Sequence, residues 1–92
     1  MTFNIEFDKQ PEKFLKKADK QLSERMLKEI ERLRCDPFPQ GAKKVLGRKE
    51  KTFRIRIGDY RLLYVIFFED NCILVSKIDK RPRVYHQNSS YA

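Results

Sequence analysis

The amino-acid sequence predicts an α+β fold in which a two-helix hairpin packs on one face of a mostly antiparallel sheet. Three observations support this prediction. One alternating segment opens the chain, two amphipathic segments follow it, and three strand-like segments separated by turn residues come last. The predicted order is therefore an N-terminal strand, two helices and a three-stranded antiparallel meander, β-α-α-β-β-β. The 92 residues suit one domain, which we expect to span residues 1–92.

The N-terminal half contains the first strand and both predicted helices. The segment "TFNIEF" alternates apolar and polar residues, which is typical of a strand. Asp8 can cap a first helix that has Pro11 in its first turn. A second helix is predicted over 23–34, ended by "CDPFPQG". Its apolar stripe consists of Leu22, Met26, Leu27, Ile30 and Leu33. We expect both helices to cover the sheet rather than to form a binding surface.

The C-terminal half contains the predicted meander. Residues 40–52 have no clear period and predict a loop with a short buried contact at Val45 and Leu46. Strands follow at 52–57, 60–68 and 72–79. Gly58 and Asp59 form a two-residue hairpin turn, and "EDN" forms the next turn.

The hairpin turn predicts a register that brings like charges together. Ile57 then faces Tyr60, and Arg56 faces Arg61. At about 5 Å two such charges repel by roughly 1 kcal/mol in water, so an external anion is the simplest remedy. Arginine suits phosphate because its planar fork donates parallel hydrogen bonds. The alternative is that Arg54, Arg56 and Arg61 extend into solvent or pair with acids elsewhere. The residues predicted to face the core are Phe53, Ile55, Ile57, Tyr60, Leu62, Tyr64 and Ile66.

The same face is predicted to continue into apolar residues beyond the arginines. The helices can cover only one face of the sheet, so this apolar end would be exposed and would suit a partner protein. The residues expected there are Leu63, Val65, Phe67, Ile73 and Val75.

The net charge of +8 is concentrated in two short segments. Residues 43–61 carry a net +6, residues 77–86 carry +3, and all others together carry −1. A purely solubilising charge would be spread more evenly, so this pattern points to an acidic partner such as nucleic acid. In the tail "KRPRVYH", a tyrosine among bases suits stacking on a nucleobase. Tyr85 packing against the protein is the alternative.

Other function classes have little support in the sequence. Cys35 and Cys72 form no CxxC pair and the chain has one histidine, so we expect no metal site and no cofactor. The N-terminus lacks a signal-peptide pattern, and the longest apolar run, 62–68, is too short to cross a membrane. We expect a cytoplasmic protein with no membrane partner.

The element order, the basic chain and two motifs together resemble the RelE/ParE toxin superfamily. The motifs are the hairpin "RIRIGDYRLLY" and the closing "KRPRVY", with "LG" at 46–47 in addition. The likeness covers nearly the whole chain, and the hairpin is the more specific motif.

This resemblance implies a toxin of a toxin–antitoxin pair, silenced by an antitoxin that wraps its surface. RelE-type members enter the ribosomal A site and cut mRNA without a metal, by attack of the 2′-hydroxyl on the adjacent phosphate. By motif, the resemblance implies a catalytic set of Arg54, Arg56, Arg61, Arg81 and Tyr85. It implies an RNA- and ribosome-binding set of Lys43, Lys44, Arg48, Lys49, Lys51, Lys80 and Arg83. The implied partners are an antitoxin, the ribosome and mRNA.

One departure leaves the general base open. Some family members have lysines where this chain has Arg54 and Arg56, and arginine effectively cannot be deprotonated. Tyr85 or His86 could serve as the base, or catalysis could be mainly electrostatic. A superfamily branch inhibits DNA gyrase instead, and a non-catalytic RNA-binding module is a further alternative. The several basic residues together with Tyr85 favour the nuclease.

Overall fold

A computed structural model describes residues 2–80, in which two helices cover one face of a five-stranded sheet. The elements in chain order are β1 (Asn4–Phe7), α1 (Lys9–Lys17), α2 (Lys20–Leu33), β2 (Lys43–Lys44), β3 (Thr52–Ile57), β4 (Tyr60–Phe67) and β5 (Cys72–Lys80). The predicted α+β class and element order are therefore confirmed, with the short strand β2 added. No helix in this part of the chain has the length and apolar character that a membrane span requires.

The sheet is mixed, with the strand order β1-β5-β4-β3-β2. β3, β4 and β5 form the predicted antiparallel meander, and β1 pairs parallel with β5. Parallel neighbours need a long crossover connection, and the chain between β1 and β5 contains both helices and the other strands. β1 therefore pairs with the outer edge of β5, on the side away from β4. β2 lies in the segment that the sequence predicts to be a loop. This strand could not be predicted because its two residues are too few to show a period.

Both helices begin at an aspartate cap. The Asp8 carboxylate accepts a hydrogen bond from the Lys9 N–H, as the sequence predicts for α1. The Asp19 carboxylate accepts one from the Leu22 N–H at 2.8 Å. Because Asp19 is the N-cap, α2 begins at Lys20, three residues before the predicted start.

The core lies between α2 and the covered face of the sheet. Leu27 is 45% exposed and lies outside the buried stripe of α2. The buried residues of the core are Met26, Ile30, Leu33, Ile55, Ile57, Leu62, Tyr64, Ile66, Ile73, Val75 and Ile78. Phe53 and Tyr60 pack against it, so the predicted core face of the hairpin is confirmed.

Besides the placement of Leu27 in the buried stripe, two sequence predictions about apolar residues were wrong. Ile73 and Val75 lie in the core and not beside the arginines, because the turn after β4 pairs Phe67 with Cys72. A shift of one residue in register moves every side chain of a strand to the other face. Leu46 is 83% exposed and makes no buried contact, whereas Val45 is half-buried.

Candidate functional site

The sheet face that the two helices leave uncovered carries two rows of mostly charged residues, and we call it the arginine face. Side chains alternate between faces along a strand, so the cross-strand pairs show which residues share a face. The row nearest the β3–β4 turn consists of Arg56, Arg61 and Asp79. The next row consists of Lys43, Arg54, Leu63 and Lys77.

The β3–β4 turn determines the register of this face. Ile57 pairs with Tyr60 and Arg56 pairs with Arg61, so the register predicted from the sequence is confirmed. Gly58 has φ +61, in the left-handed region that favours glycine. A Cβ atom at this position would also lie 2.9 Å from Nη1 of Arg25 on α2. The positive φ favours glycine, whereas the end of the flexible Arg25 side chain could move aside for a Cβ atom. The glycine turn sets Arg56 opposite Arg61.

Asp79 holds the guanidinium of Arg61 through two contacts. Nε and Nη2 of Arg61 donate to Oδ1 and Oδ2 of Asp79, both at 3.3 Å. The two side chains are 30% and 28% exposed, and Nζ of Lys77 lies 3.8 Å from the same carboxylate. Arg61 therefore meets an acid from another strand, one of the alternatives that the sequence left open. No register for β5 could be predicted from the sequence, so Asp79 and Lys77 were not assigned to this face.

Arg54 and Arg56 differ from Arg61 in their charge partners. Among residues 2–80, neither of them is in an ion pair. Lys43 lies directly opposite Arg54 across the β2–β3 pair, which adds a third positive charge to the same region. Like charges at such positions destabilise a sheet, and an anion bound above them would remove that repulsion.

The structure does not bring all the predicted RNA-binding residues to this face. Lys44 lies opposite Phe53 and Lys80 opposite Tyr60, so both side chains project from the helix-covered side of the sheet. Nζ of Lys51 lies 5.2 Å from the ring centre of Phe68, beyond the far end of β4. Arg48 and Lys49 are exposed in the segment between β2 and β3. Arg81, Arg83, Tyr85 and His86 lie outside the described residues.

The apolar end of the arginine face has different members from those predicted. Leu63 and Val65 are present but are only 7% and 8% exposed, while Phe67 and Leu74 are half-buried. A shallow cleft of about 370 Å³ lies beside them. It is lined by Asn4, Glu6, Phe67, Asp70, Cys72 and Leu74. Burial, and then Glu6 and Asp70, raise the pKa of the Cys72 thiol, so this thiol is poorly suited to act as a nucleophile.

Clusters of metal-binding side chains are absent from the part of the chain that the structure describes. Residues 2–80 contain no cluster of three or more His, Cys, Asp or Glu side chains that could hold an ion. Cys35 and Cys72 are both free.

Comparison with known proteins shows where the fold occurs. A family profile described as the ParE toxin of the type II toxin–antitoxin system parDE matches residues 5–85. A Methanocaldococcus jannaschii protein given the name toxin RelE1 is 33% identical over 88 residues, which is 92% of this chain and 97% of that protein.

Solved structures give the same result. The archaeal RelE–RelB complex from Pyrococcus horikoshii contains a chain that is 30% identical, with a TM-score of 0.80, covering 91% of this chain and 100% of that one. The isolated RelE toxin of Escherichia coli has a TM-score of 0.71 at 19% identity, covering 96% and 94%, and shows the likeness of the fold alone.

The fold and these relatives define a class, the toxins of type II toxin–antitoxin systems. Within this class the chain belongs to the RelE/ParE superfamily, as a toxin of the RelE family. The resemblance inferred from the hairpin and closing motifs is therefore confirmed.

Proposed function

We propose that this toxin is a ribosome-dependent endoribonuclease that cuts mRNA in the ribosomal A site. The observation that carries the proposal is the pairing of Arg56 with Arg61, beside Arg54, on an uncovered sheet face. Phosphoryl transfer depends mainly on positioning and on stabilisation of charge, which arginines can supply. Residues 1–92 would form this single domain, and it would act in the cytoplasm without a metal or other cofactor.

The proposed reaction is transfer within the RNA strand. The 2′-oxygen forms a bond to the adjacent phosphorus and loses its proton, and the bond from phosphorus to the 5′-oxygen breaks. The 5′-oxygen gains a proton, so the products are a cyclic phosphate and a free 5′-hydroxyl. Arg61 would hold the cleaved phosphate, because Asp79 occupies its Nε–H and one Nη2–H and leaves other N–H donors for the ligand.

The remaining roles follow from the family resemblance. Arg54 and Arg56 would stabilise charge or orient the hydroxyl, since arginine cannot act as a base. Arg81 and Tyr85 would complete the catalytic set, with Tyr85 or His86 as the candidate base. The other proposed RNA- and ribosome-binding residues are Lys43, Lys44, Arg48, Lys49, Lys51, Lys80 and Arg83.

An antitoxin is the proposed protein partner. The Pyrococcus horikoshii relative was solved as a RelE–RelB complex, which supports a partner of this kind. The half-buried Phe67 and Leu74, with Glu6 beside them, offer the apolar end of the arginine face as a contact area.

Inhibition of DNA gyrase is the second candidate function, because the matching family profile is described as the ParE toxin. The paired arginines and the RelE relatives favour the nuclease.

Primer extension on a defined mRNA, with and without programmed ribosomes, tests this proposal. The wild-type toxin should cut at the A-site codon only when ribosomes are present. Arg61→Ala and Arg81→Ala should each slow cleavage by about 100-fold, because each removes a donor to the developing charge. Lys16→Ala, which removes an exposed charge from α1, should cut like the wild type.

Other outcomes of this assay would contradict the proposal. Wild-type rates for both arginine variants would refute the site, provided that both still fold and bind the antitoxin. If no cuts occur under either condition, the nuclease proposal fails. A gyrase supercoiling assay would then test the second candidate.

A further inference from the structure

A second basic feature lies at the outer edge of β3, next to the arginine face. It is a cleft of about 370 Å³ between α2, the loop that follows α2, and strands β2 and β3. Its polar lining includes Glu29, Arg32, Gln40, Lys43, Arg54 and Arg56. Arg32 belongs to neither set of residues implied by the family resemblance, and the two helices were expected only to cover the sheet.

The cleft exists because β2 is short. β2 pairs only with Phe53 and Arg54, so the rest of β3 has no neighbouring strand on this side among residues 2–80. Hydrogen bonds alternate between the two sides of an antiparallel strand, and the two-residue turn directs those of Ile57 toward β4. The backbone N–H and C=O of Arg56 therefore face the cleft. Thr52 shows the same alternation, because its carbonyl accepts from the Val45 N–H at 2.8 Å on this side.

The charges around the cleft favour an anion. Four bases line it against one acid, Glu29. Oε1 of Glu29 lies 3.5 Å from Nη1 of Arg32, but the two side chains are 36% and 68% exposed, so this pair is weak and readily exchanged. A phosphate could accept from guanidinium groups on both walls and from the N–H of Arg56, a combination that a simple solvated surface lacks.

The cleft is also continuous with the proposed cleavage site. Arg56 lines the cleft and is the direct cross-strand neighbour of Arg61. Adjacent strands lie about 4.8 Å apart, so an RNA backbone bound at Arg61 need cross only one strand to reach the cleft.

We propose that this cleft is a second RNA subsite, in which Arg32 binds a backbone phosphate close to the one held by Arg61. The inference rests on the proposed function, since it extends the path of the same RNA strand. Glu29 competes with the phosphate for Arg32, so the two residues have opposite effects on RNA affinity.

Binding of a short RNA without ribosomes tests the subsite separately from cleavage. The probe is a fluorescein-labelled single-stranded oligoribonucleotide whose 2′-hydroxyls are all methylated, so that it cannot be cut. Its dissociation constant is measured by fluorescence anisotropy at several salt concentrations. Arg32→Ala should weaken binding about tenfold and lower the slope of log affinity against log salt by about 0.7, the value for one lost phosphate contact on a single strand.

Two variants of the cleft and one control make the test specific. Glu29→Gln should bind the oligonucleotide several-fold more tightly than the wild type, because Arg32 loses its competing carboxylate. Arg32→Lys should keep the salt slope and recover only part of the affinity, since lysine lacks the planar fork. Lys16→Ala removes one exposed charge from α1, which contributes no residue to the cleft lining, and should change affinity by less than twofold.

The possible failures can be told apart. Equal affinities for the wild type, Arg32→Ala and Glu29→Gln would overturn the subsite, even if ribosome-dependent cleavage is observed. Arg32-dependent binding without any cleavage would keep the subsite and refute the nuclease. A loss of antitoxin affinity in Arg32→Ala with unchanged RNA affinity would show that an acidic protein segment occupies the cleft, and would also overturn the inference.

Discussion

Arg61 and Asp79 show how a single acidic residue can distinguish one arginine from its neighbours. Three arginines share the uncovered face, but only Arg61 among them is fixed by a carboxylate at two points within the described residues. The pair removes one net charge and limits the rotamers of Arg61, so the guanidinium is oriented before any ligand arrives. Asp79 therefore lowers the affinity of the site for an anion, and it improves the orientation of the guanidinium that binds the anion.

Replacement of Asp79 should separate these two effects. Asp79→Asn removes a negative charge from the site, so KM for programmed ribosomes should fall. It also loosens Arg61, so the cleavage rate at saturation should fall about tenfold. Single-turnover cleavage at varied concentrations of programmed ribosomes measures both quantities.

Asp59→Asn is the matched control, since Asp59 lies in the hairpin turn and none of the ion pairs found within residues 2–80 involves it. Identical kinetics for Asp79→Asn and Asp59→Asn would show that Asp79 does not position Arg61.

At the scale of elements, the side chain of Gln10 on α1 forms hydrogen bonds with the backbone of β5 that a neighbouring strand would otherwise form. β1 ends at Phe7, and the Asp8 N–H donates to the Val75 carbonyl. Further along β5, Oε1 of Gln10 accepts from the Ile78 N–H at 2.8 Å, and Nε2 of Gln10 donates to the Ile78 carbonyl at 2.7 Å. The amide thus satisfies the backbone of β5 next to Asp79, beyond the last residue of β5 that pairs with β1.

Gln10→Ala should lower the free energy of unfolding by about 2 kcal/mol, because it leaves the two partly buried backbone groups of Ile78 without their partner. Urea unfolding measures this loss. Gln21→Ala, on the exposed first turn of α2, should have a much smaller effect. A loss no larger than that of Gln21→Ala would mean that water replaces the amide at little cost.

At the scale of the whole molecule, Tyr64 joins the centre of the sheet to the loop after α2. Its side chain is fully buried, and its hydroxyl donates to the Pro37 carbonyl at 2.7 Å. Phe53 stacks on its ring with centroids 6.0 Å apart, and Phe38 contacts Phe53. Burial, and then the negative charge of Asp36, raise the pKa of Tyr64 to about 12. Tyr64, the last residue of the hairpin motif, therefore has a structural role and lies away from the arginine face.

This pKa predicts how stability depends on pH. The folded pKa of about 12 lies above the ordinary value of 10.0, so the folded protein holds the proton more tightly than the unfolded chain. The stability that the protonated Tyr64 hydroxyl contributes is complete below pH 10. As the pH rises from 10 toward 12, the free energy of unfolding should fall by about 2 kcal/mol.

Comparison with Tyr64→Phe isolates this contribution, because lysines and other tyrosines titrate in both proteins. At pH 7 the wild type should be more stable by about 1 kcal/mol, the value of the hydrogen bond to Pro37. Above pH 10 that difference in unfolding free energy should shrink and change sign. A difference that stays constant from pH 7 to 12 would contradict the raised pKa.

Basic residues that are close together in the sequence lie on different sides of the folded molecule. Residues 43–61 form one basic segment in the sequence, but the sheet places Lys43 on the arginine face and Lys44 on the covered side. Lys51 lies against Phe68 beyond the far end of β4. Arg32 joins the basic region from α2, where nothing in the helical pattern distinguished it from other exposed charges.

The sequence by itself determined the class, the element order, the hairpin register and the family, because these depend on local signals. Alternation, caps and the Gly58–Asp59 turn act over a few residues, so Arg56 opposite Arg61 could be predicted. Contacts between distant segments could not be predicted in this way. The pairing of β5 decided that Asp79 meets Arg61 and that Val75 enters the core, and the shortness of β2 left the cleft beside Arg32. Regular alternation would place Val75 and Asp79 on the same face of β5, but the pairing shifts between Leu63, opposite Lys77, and Tyr64, opposite Val75, which places them on opposite faces. Such an irregularity leaves no mark in the composition, so only the tertiary structure could show it.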